Sequence, residues 1–252
     1  SMGIDVVADL PGVGKNLQDH LYTPVVCDCT EPITLDAAET LTNFAKYKGL
    51  GDGPLTSNVG EGGAFLKTPL ADDRPDVQFH FAPAHFIEHG FQEPDHEYGF
   101  SIVSLQLRPE SRGFIELEST DPREHPRIDP QYLSADPDLD VQVEGLKMAR
   151  EILHAAPFDD YRKEERLPGP DVQSDEKLAE HVREYGETLY HPVGTCKMGA
   201  DEMAVVNERL RVHGIDGLRV VEASVMPTVT SGNTNAPTAE SSEKAAEMIM
   251  ED

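Results

Sequence analysis

Three strand-like stretches in succession, joined by loops and with no helix between them, constrain this chain most. In residues 76–82, Val77, Phe79 and Phe81 share one face while Gln78 and His80 share the other. That period of two is the pattern of a half-buried strand. Residues 99–107 (GFSIVSLQL) continue in β character, and residues 114–118 alternate again after Gly113. Strands that follow one another without intervening helices predict a mostly antiparallel sheet.

Helical signals come later. After Ser134, with Pro137 near the first turn, Leu139, Val143, Leu146 and Leu153 recur at helical spacing until Pro157. A second helix is predicted with Ser174 as N-cap, Leu178, Val182 and Tyr185 as its buried stripe, and Gly186 as its stop. Residues 158–173 between them read as a polar, Pro-containing connection. Residues 217–223 (GLRVVEA) read as a short buried strand. A loop rich in Thr, Ser, Gly and Asn follows at 226–236, and Pro237 opens a last helix to about residue 250. A helix N-terminus at the end of a polar loop favours anions. The fold class expected is therefore α+β, a mostly antiparallel sheet with helices on one side.

Charge excludes several functions. The 252 residues include 47 Asp and Glu against 21 Lys and Arg, a formal charge of −26. Nucleic acid and an anionic membrane surface are poor partners for such a chain. No run of about 18 apolar residues predicts a transmembrane helix, and the N-terminus reads as no signal peptide. Cys27, Cys29 and Cys196 are an odd three in a long chain, which predicts free thiols in a reducing compartment, the cytoplasm.

Some residues invite chemistry. Gly12-Val13-Gly14 lacks the third glycine of a dinucleotide fingerprint, because Leu17 stands there, so a plain turn is expected. Residues 49–54 read as another turn. His80, His85 and His89 have spacings that a metal site needs to make convergent, yet Pro83 interrupts them; no metal is expected, and a metal-dependent hydrolase is the outlying alternative. Residues 190–199 (YHPVGTCKMG) place His191 before a proline and two glycines, on a loop constrained enough to aim an imidazole. A nucleophilic pair of His191 with Cys196 lacks an orienting third residue.

These motifs, taken together, resemble the C-terminal half of glucose-methanol-choline (GMC) oxidoreductases, most closely those of choline dehydrogenase type. The resemblance rests on DLPGVGKNLQDHL, GPLTSNVGEGGAFL, RPDVQFHFAPAHF, LRPESRG, YHPVGTCKMG, GLRVVEASVMP and SGNTNAPT, in that order. It implies oxidation of an alcohol to an aldehyde by hydride transfer to an FAD flavin. It implies His191 as the base or the base's partner, and Asn235, eight residues before Glu243, as donor to the substrate oxygen. Glu61 would face a cationic substrate group and Arg108 would line the cavity, although a structural ion pair is the plainer role for Arg108. Glu222, Ala223, Asn235, Ala236, Pro237 and Thr238 would lie against the flavin. The partners implied are a small alcohol and an FAD-binding half.

The resemblance divides the chain into residues 1–60, a trailing FAD-domain segment and linker; 61–187, the substrate-binding domain; and 188–252, a C-terminal FAD-domain segment. Three departures accompany it. The half with the glycine fingerprint is not in this sequence, Glu222 stands where the family usually has Asp, and Ala239-Glu240-Ser241-Ser242 replaces an apolar run. The chain alone is therefore expected to hold FAD weakly or not at all and to be inactive. A non-catalytic binding or scaffold module, isolated or redesigned, is the alternative.

Overall fold

The structure is a computed structural model that describes residues 2–91 and 98–251. Its principal strands are β1 (Leu21–Cys29), β2 (Gly62–Leu66), β3 (Val77–Ala82), β4 (Gly99–Gln106), β5 (Phe114–Glu116), β6 (Arg127–Asp129) and β7 (Arg162–Leu167). Its helices are α1 (Leu41–Leu50), α2 (Asp136–Leu153), α3 (Asp175–Tyr185) and α4 (Asn235–Met250). The chain forms two compact units. One holds Leu21–Gln106 and Leu139–Glu187; the other holds Ser1–His20, Leu107–Asp138 and Thr188–Asp252. The expected segment 1–60 is thus divided at residue 20, and 107–138 joins the unit of the chain ends.

The sheet unit is antiparallel, with its main path in the order β2-β3-β4-β1-β7. β1 lies inside the sheet, and all nine of its residues are buried. Pro24 is tolerated there for a geometric reason. The nitrogen and carbonyl of one strand residue point to the same edge. At Pro24 that edge has no β7 partner, because the β7 pairing covers only Val26 to Cys29. The Pro24 carbonyl instead accepts from His181 Nε2 of α3 at 3.2 Å.

Both expected helices pack on this sheet. α2 approaches so closely that a Cβ at Gly145 would meet Ser104 Oγ of β4 at 2.3 Å, and Gln142 Nε2 donates to the Leu21 carbonyl at 2.6 Å. α3 starts as expected: the Ser174 side chain accepts from Lys177 N–H, and Leu178, His181 and Val182 are buried. α1 was not anticipated. Thr40 caps its start, and Gly51 closes it with φ +64. β7 occupies part of the expected polar connection; its Glu165 is buried as the shared partner of Arg150 and His154.

The second unit has little regular structure besides α4 and the β5–β6 pair. Val205, Val206, Leu210, Val212, Val225 and Ala245 form its main core. The strand expected at 217–223 is corrected here. Among the described residues that run has only an isolated bridge, Arg211↔Arg219, followed by a 3-10 turn at Ala223–Val225. An apolar run becomes a strand only where neighbouring backbones offer a ladder. The Gly12–Gly14 turn is present. A Cβ at Gly12 would lie 2.0 Å from the Met203 carbonyl oxygen, and one at Gly14 would lie 2.1 Å from that of Ile115. These glycines serve close backbone approach within the protein.

Candidate active site

Residues 16–20, part of the NLQDH motif, organise the loop that carries His191. Gln18 and Val193 exchange backbone hydrogen bonds at 3.0 and 2.9 Å. Asn16 Nδ2 donates to the carbonyls of Gly194 and Pro227, and Gln18 Nε2 also reaches Pro227. The approach requires glycine at 194: φ is +97°, and a Cβ would fall 2.2 Å from the Asn16 carbonyl oxygen.

Asp19 is the next layer. It is buried, and four donors converge on its carboxylate. Oδ1 accepts from the backbone N–H groups of His20 and His191, each at 2.8 Å. Oδ2 accepts from the Tyr132 hydroxyl at 2.5 Å and from Thr188 Oγ1. Burial first, and then the Asp19 charge, push the Tyr132 phenol well up, so it stays a donor. One carboxylate thus fixes the backbone of two histidines 171 positions apart.

Those histidines touch. His20 Nδ1 and His191 Nδ1 are 2.8 Å apart, with ring planes nearly perpendicular at 83°. His20 is fully buried and His191 nearly so. On its far side His20 Nε2 meets the Leu107 carbonyl at 3.1 Å. On the other ring, His191 Nε2 faces Asn233 Nδ2 at 3.4 Å. Burial, and next the proximity of His191, push His20 down to about 4, against the opposing effects of the Leu107 and Thr230 carbonyls and Asp19. His20 is therefore neutral at physiological pH. A buried imidazole on a fixed loop, backed by a neutral one, is an arrangement suited to taking a proton from a hydroxyl group.

The other expected residues fall as follows. Asn235 is the first residue of α4 and is exposed, as is Ala236, while Pro237 and Thr238 are half-buried. Asn233, two residues earlier, is the asparagine that reaches His191. Arg108 is half-buried and follows Leu107, the residue whose carbonyl holds His20. Glu61 is exposed and precedes β2 in the sheet unit. Glu222 is exposed; its carboxylate accepts from Ser224 N–H and Oγ, capping the short turn that contains half-buried Ala223.

The remaining candidates are accounted for by packing. His85 lies between Asp28 and Asp36, His89 lies beside Glu187, and His80 sits on β3, lowered by burial. They do not converge. Cys196 is raised by burial and bonds Ser224, while His191 is engaged with His20, so the two make no nucleophilic pair. Burial and Glu165 push Cys27 up to about 12. Sequence reasoning missed Asp19, His20 and Asn233, although all three lie within motifs that carried the resemblance, Asp19 and His20 in DLPGVGKNLQDHL and Asn233 in SGNTNAPT.

Comparison with known proteins agrees on the family. The family described as GMC oxidoreductase matches residues 109–240. An oxygen-dependent choline dehydrogenase of Pseudomonas savastanoi pv. phaseolicola is 44% identical over 98% of this chain and 44% of its own length. An alcohol dehydrogenase (acceptor) of Pseudomonas putida is 43% identical over 98% of this chain and 46% of its own. The chain thus spans less than half the length of these relatives. Among solved structures, pyridoxine 4-oxidase from Mesorbium loti superposes with a TM-score of 0.85 at 26% identity, over 100% of this chain and 46% of that one. An Aspergillus oryzae formate oxidase variant, studied for FAD modification, superposes with a TM-score of 0.89 at 25% identity, over 98% of this chain and 49% of its own.

Proposed function

This chain belongs to the GMC oxidoreductase family, and from that premise we propose that it supplies the proton-handling part of an FAD-dependent enzyme that oxidises a choline-like or other small alcohol to an aldehyde. The observation that carries this reading is His191: buried, tied at its backbone to Asp19 and at Nδ1 to His20, with Nε2 directed toward Asn233. The alcohol substrate class follows the printed names of the choline dehydrogenase and alcohol dehydrogenase relatives.

In the reaction an R–CH2–OH group loses a proton from oxygen and a hydride from carbon as the C=O bond forms. His191 takes the hydroxyl proton at Nε2. Asn233 holds its amide at that nitrogen, and Asn235 is assigned to the alcohol oxygen. A positioned general base of this kind contributes roughly 10²–10⁴ in rate. FAD supplies the acceptor for the hydride when bound.

The residues present fit one end of that cofactor. α4 starts at an exposed Asn235 and Ala236, and the Thr234 side chain makes no cap hydrogen bond. The N–H groups of its first turn, with the helix dipole, favour the pyrimidine side of a flavin, which gains charge on reduction. Glu222, Ala223, Asn235, Ala236, Pro237 and Thr238 would hold that ring. Gly12 and Gly14 do not fit as a pyrophosphate cradle, because the Met203 and Ile115 carbonyls fill the space a phosphate would need. The grip on the rest of FAD is assigned to the part of the family's length that lies outside this chain, which also accounts for the expected weak flavin binding of the chain alone.

Dye-coupled oxidation of choline and simple primary alcohols by flavin-containing protein that includes this chain tests the proposal. The expected outcome is measurable turnover that His191→Ala lowers by about 10²–10⁴. Turnover that survives this substitution unchanged would refute it.

A further inference from the structure

Outside the groups assigned to the reaction, the most informative buried titratable side chain is His20. We propose that His20 is a positioning residue that sets the tautomer of His191, holding its proton on Nδ1 and leaving the lone pair on Nε2. The proposal rests on the reading of His191 as the base and adds how that base is prepared.

Hydrogen-bond polarity fixes each link in turn. A carbonyl oxygen only accepts, so the contact of His20 Nε2 with the Leu107 carbonyl at 3.1 Å puts a hydrogen on Nε2. His20 is neutral, because burial and the nearby His191 hold it down to about 4. A neutral imidazole has one N–H, so His20 Nδ1 carries a lone pair. That lone pair faces His191 Nδ1 at 2.8 Å. Two lone pairs, or two N–H groups, would repel at this distance, so His191 Nδ1 donates. The neutral His191 ring then has its lone pair on Nε2. The far end agrees independently: the group facing Nε2 is the Asn233 amide nitrogen, a donor, at 3.4 Å. A carbonyl at one end and an amide N–H at the other demand the same direction along the chain Leu107–His20–His191–Asn233.

The arrangement matters because an unconstrained imidazole prefers its proton on Nε2, the wrong nitrogen for a base that works there. Asp19 adds positional control. It holds the backbone N–H groups of both histidines, so the rings meet at a set distance.

The tautomer is read directly by long-range 1H–15N correlation on protein labelled with 15N-histidine near pH 7.5. His191 signals are assigned by their loss in His191→Gln. The expected spectrum has His191 protonated at Nδ1 and His20 at Nε2. In His20→Phe the acceptor is gone, and His191 is expected to shift to the Nε2–H form. In His20→Asn the side-chain oxygen lies near the place of Nδ1, and the Nδ1–H form is expected to return. A wild-type His191 protonated at Nε2 overturns the proposal, as does a His20→Phe protein whose His191 tautomer is unchanged. If His20→Phe does not fold, the wild-type and His20→Asn spectra still decide. Turnover that persists in His191→Ala would sink the base assignment and leave the tautomer result standing. A wrong tautomer with turnover that still depends on His191 would sink only the role of His20.

Discussion

Replacing His20 by Gln should flatten the loss of stability that acid causes in this protein. The folded protein holds His20 down at about 4, against an ordinary value of 6.5. Above pH 6.5 neither the folded nor the unfolded chain protonates this residue, and its contribution is complete. As pH falls below 6.5 the unfolded chain takes the proton while the folded one does not, so stability drops. Below about 4 both states are protonated and the loss is finished. The gap of about 2.5 units, at 1.36 kcal/mol each, corresponds to about 3 kcal/mol lost between pH 7 and pH 4. His80 and His181 are also lowered by burial and act with the same sign. His85 is raised, because its bonds to Asp36 and Asp28 outweigh the opposing effect of burial, and it acts with the opposite sign. The difference between wild type and His20→Gln removes these shared contributions. Glutamine is neutral at all these pH values and keeps a donor near the Leu107 carbonyl. Urea unfolding followed by far-UV circular dichroism, suited to a chain with no Trp, gives the free energies from pH 8 to pH 4. The variant should lose about 3 kcal/mol less than wild type across that range. Parallel pH curves for the two proteins would refute the reasoning.

Two further substitutions probe the scaffold behind His191. Gly194→Ala puts a Cβ 2.2 Å from the Asn16 carbonyl oxygen at φ +97 and should cost about 3 kcal/mol in urea unfolding; a cost under about 1 kcal/mol would mean that this loop is free to move. Asp19→Asn replaces one acceptor oxygen by a donor where four donors converge. It should cost about 2–4 kcal/mol, and spectrophotometric titration should find the Tyr132 hydroxyl shifted down as the neighbouring charge is removed. An unmoved Tyr132 would show that Asp19 does not act on it.

What was legible in the sequence followed periodicity or an unbroken β-rich run, and what was not followed from their loss. α2 and α3 announce themselves because one face of each meets the core and the other does not; β3 shows itself in the alternation of Val77, Phe79 and Phe81 with polar residues, and β4, buried along its whole length, in an unbroken β-rich run. β1 is buried along its whole length as β4 is, but Pro24 and Asp28 interrupt its β-rich run and disguise it. β7 reads as polar because its buried charge is neutralised from elsewhere in the chain: Arg150 meets Glu165 at 2.7 Å, and Arg166 meets Asp28 at 2.8 Å. α1 buries none of its residues, and Leu41, Phe44 and Leu50 are exposed, so its apolar positions trace no core face. The run at 217–223 shows the converse. Its apolar residues promise a strand, but strandness depends on a neighbour as well as on composition. His191 was found through its motif, whereas nothing in a single sequence says that residue 20 meets residue 191.

The segment Asn16–His20 explains why so irregular a unit can hold an imidazole still. Asn16 turns the chain through the left-handed region at φ 63, and the side chains around that turn leave in different directions, each of which is used. Asn16 and Gln18 reach the backbone of the loops at 194 and 227. Leu17 is buried in the core and exchanges backbone bonds with Gly113. Asp19 gathers Tyr132, Thr188 and the His191 backbone, and His20 turns to the ring of His191. Loops have little intrinsic order, so their precision depends on side chains that spend hydrogen bonds on backbone groups. Five consecutive residues thereby join three distant stretches of chain, near 110, 190 and 230. Changes that leave His191 untouched, at Gly194 or Asp19, should therefore disturb its ring as surely as they disturb the fold, and the same 15N-histidine spectra would report it as a mixture of His191 tautomers.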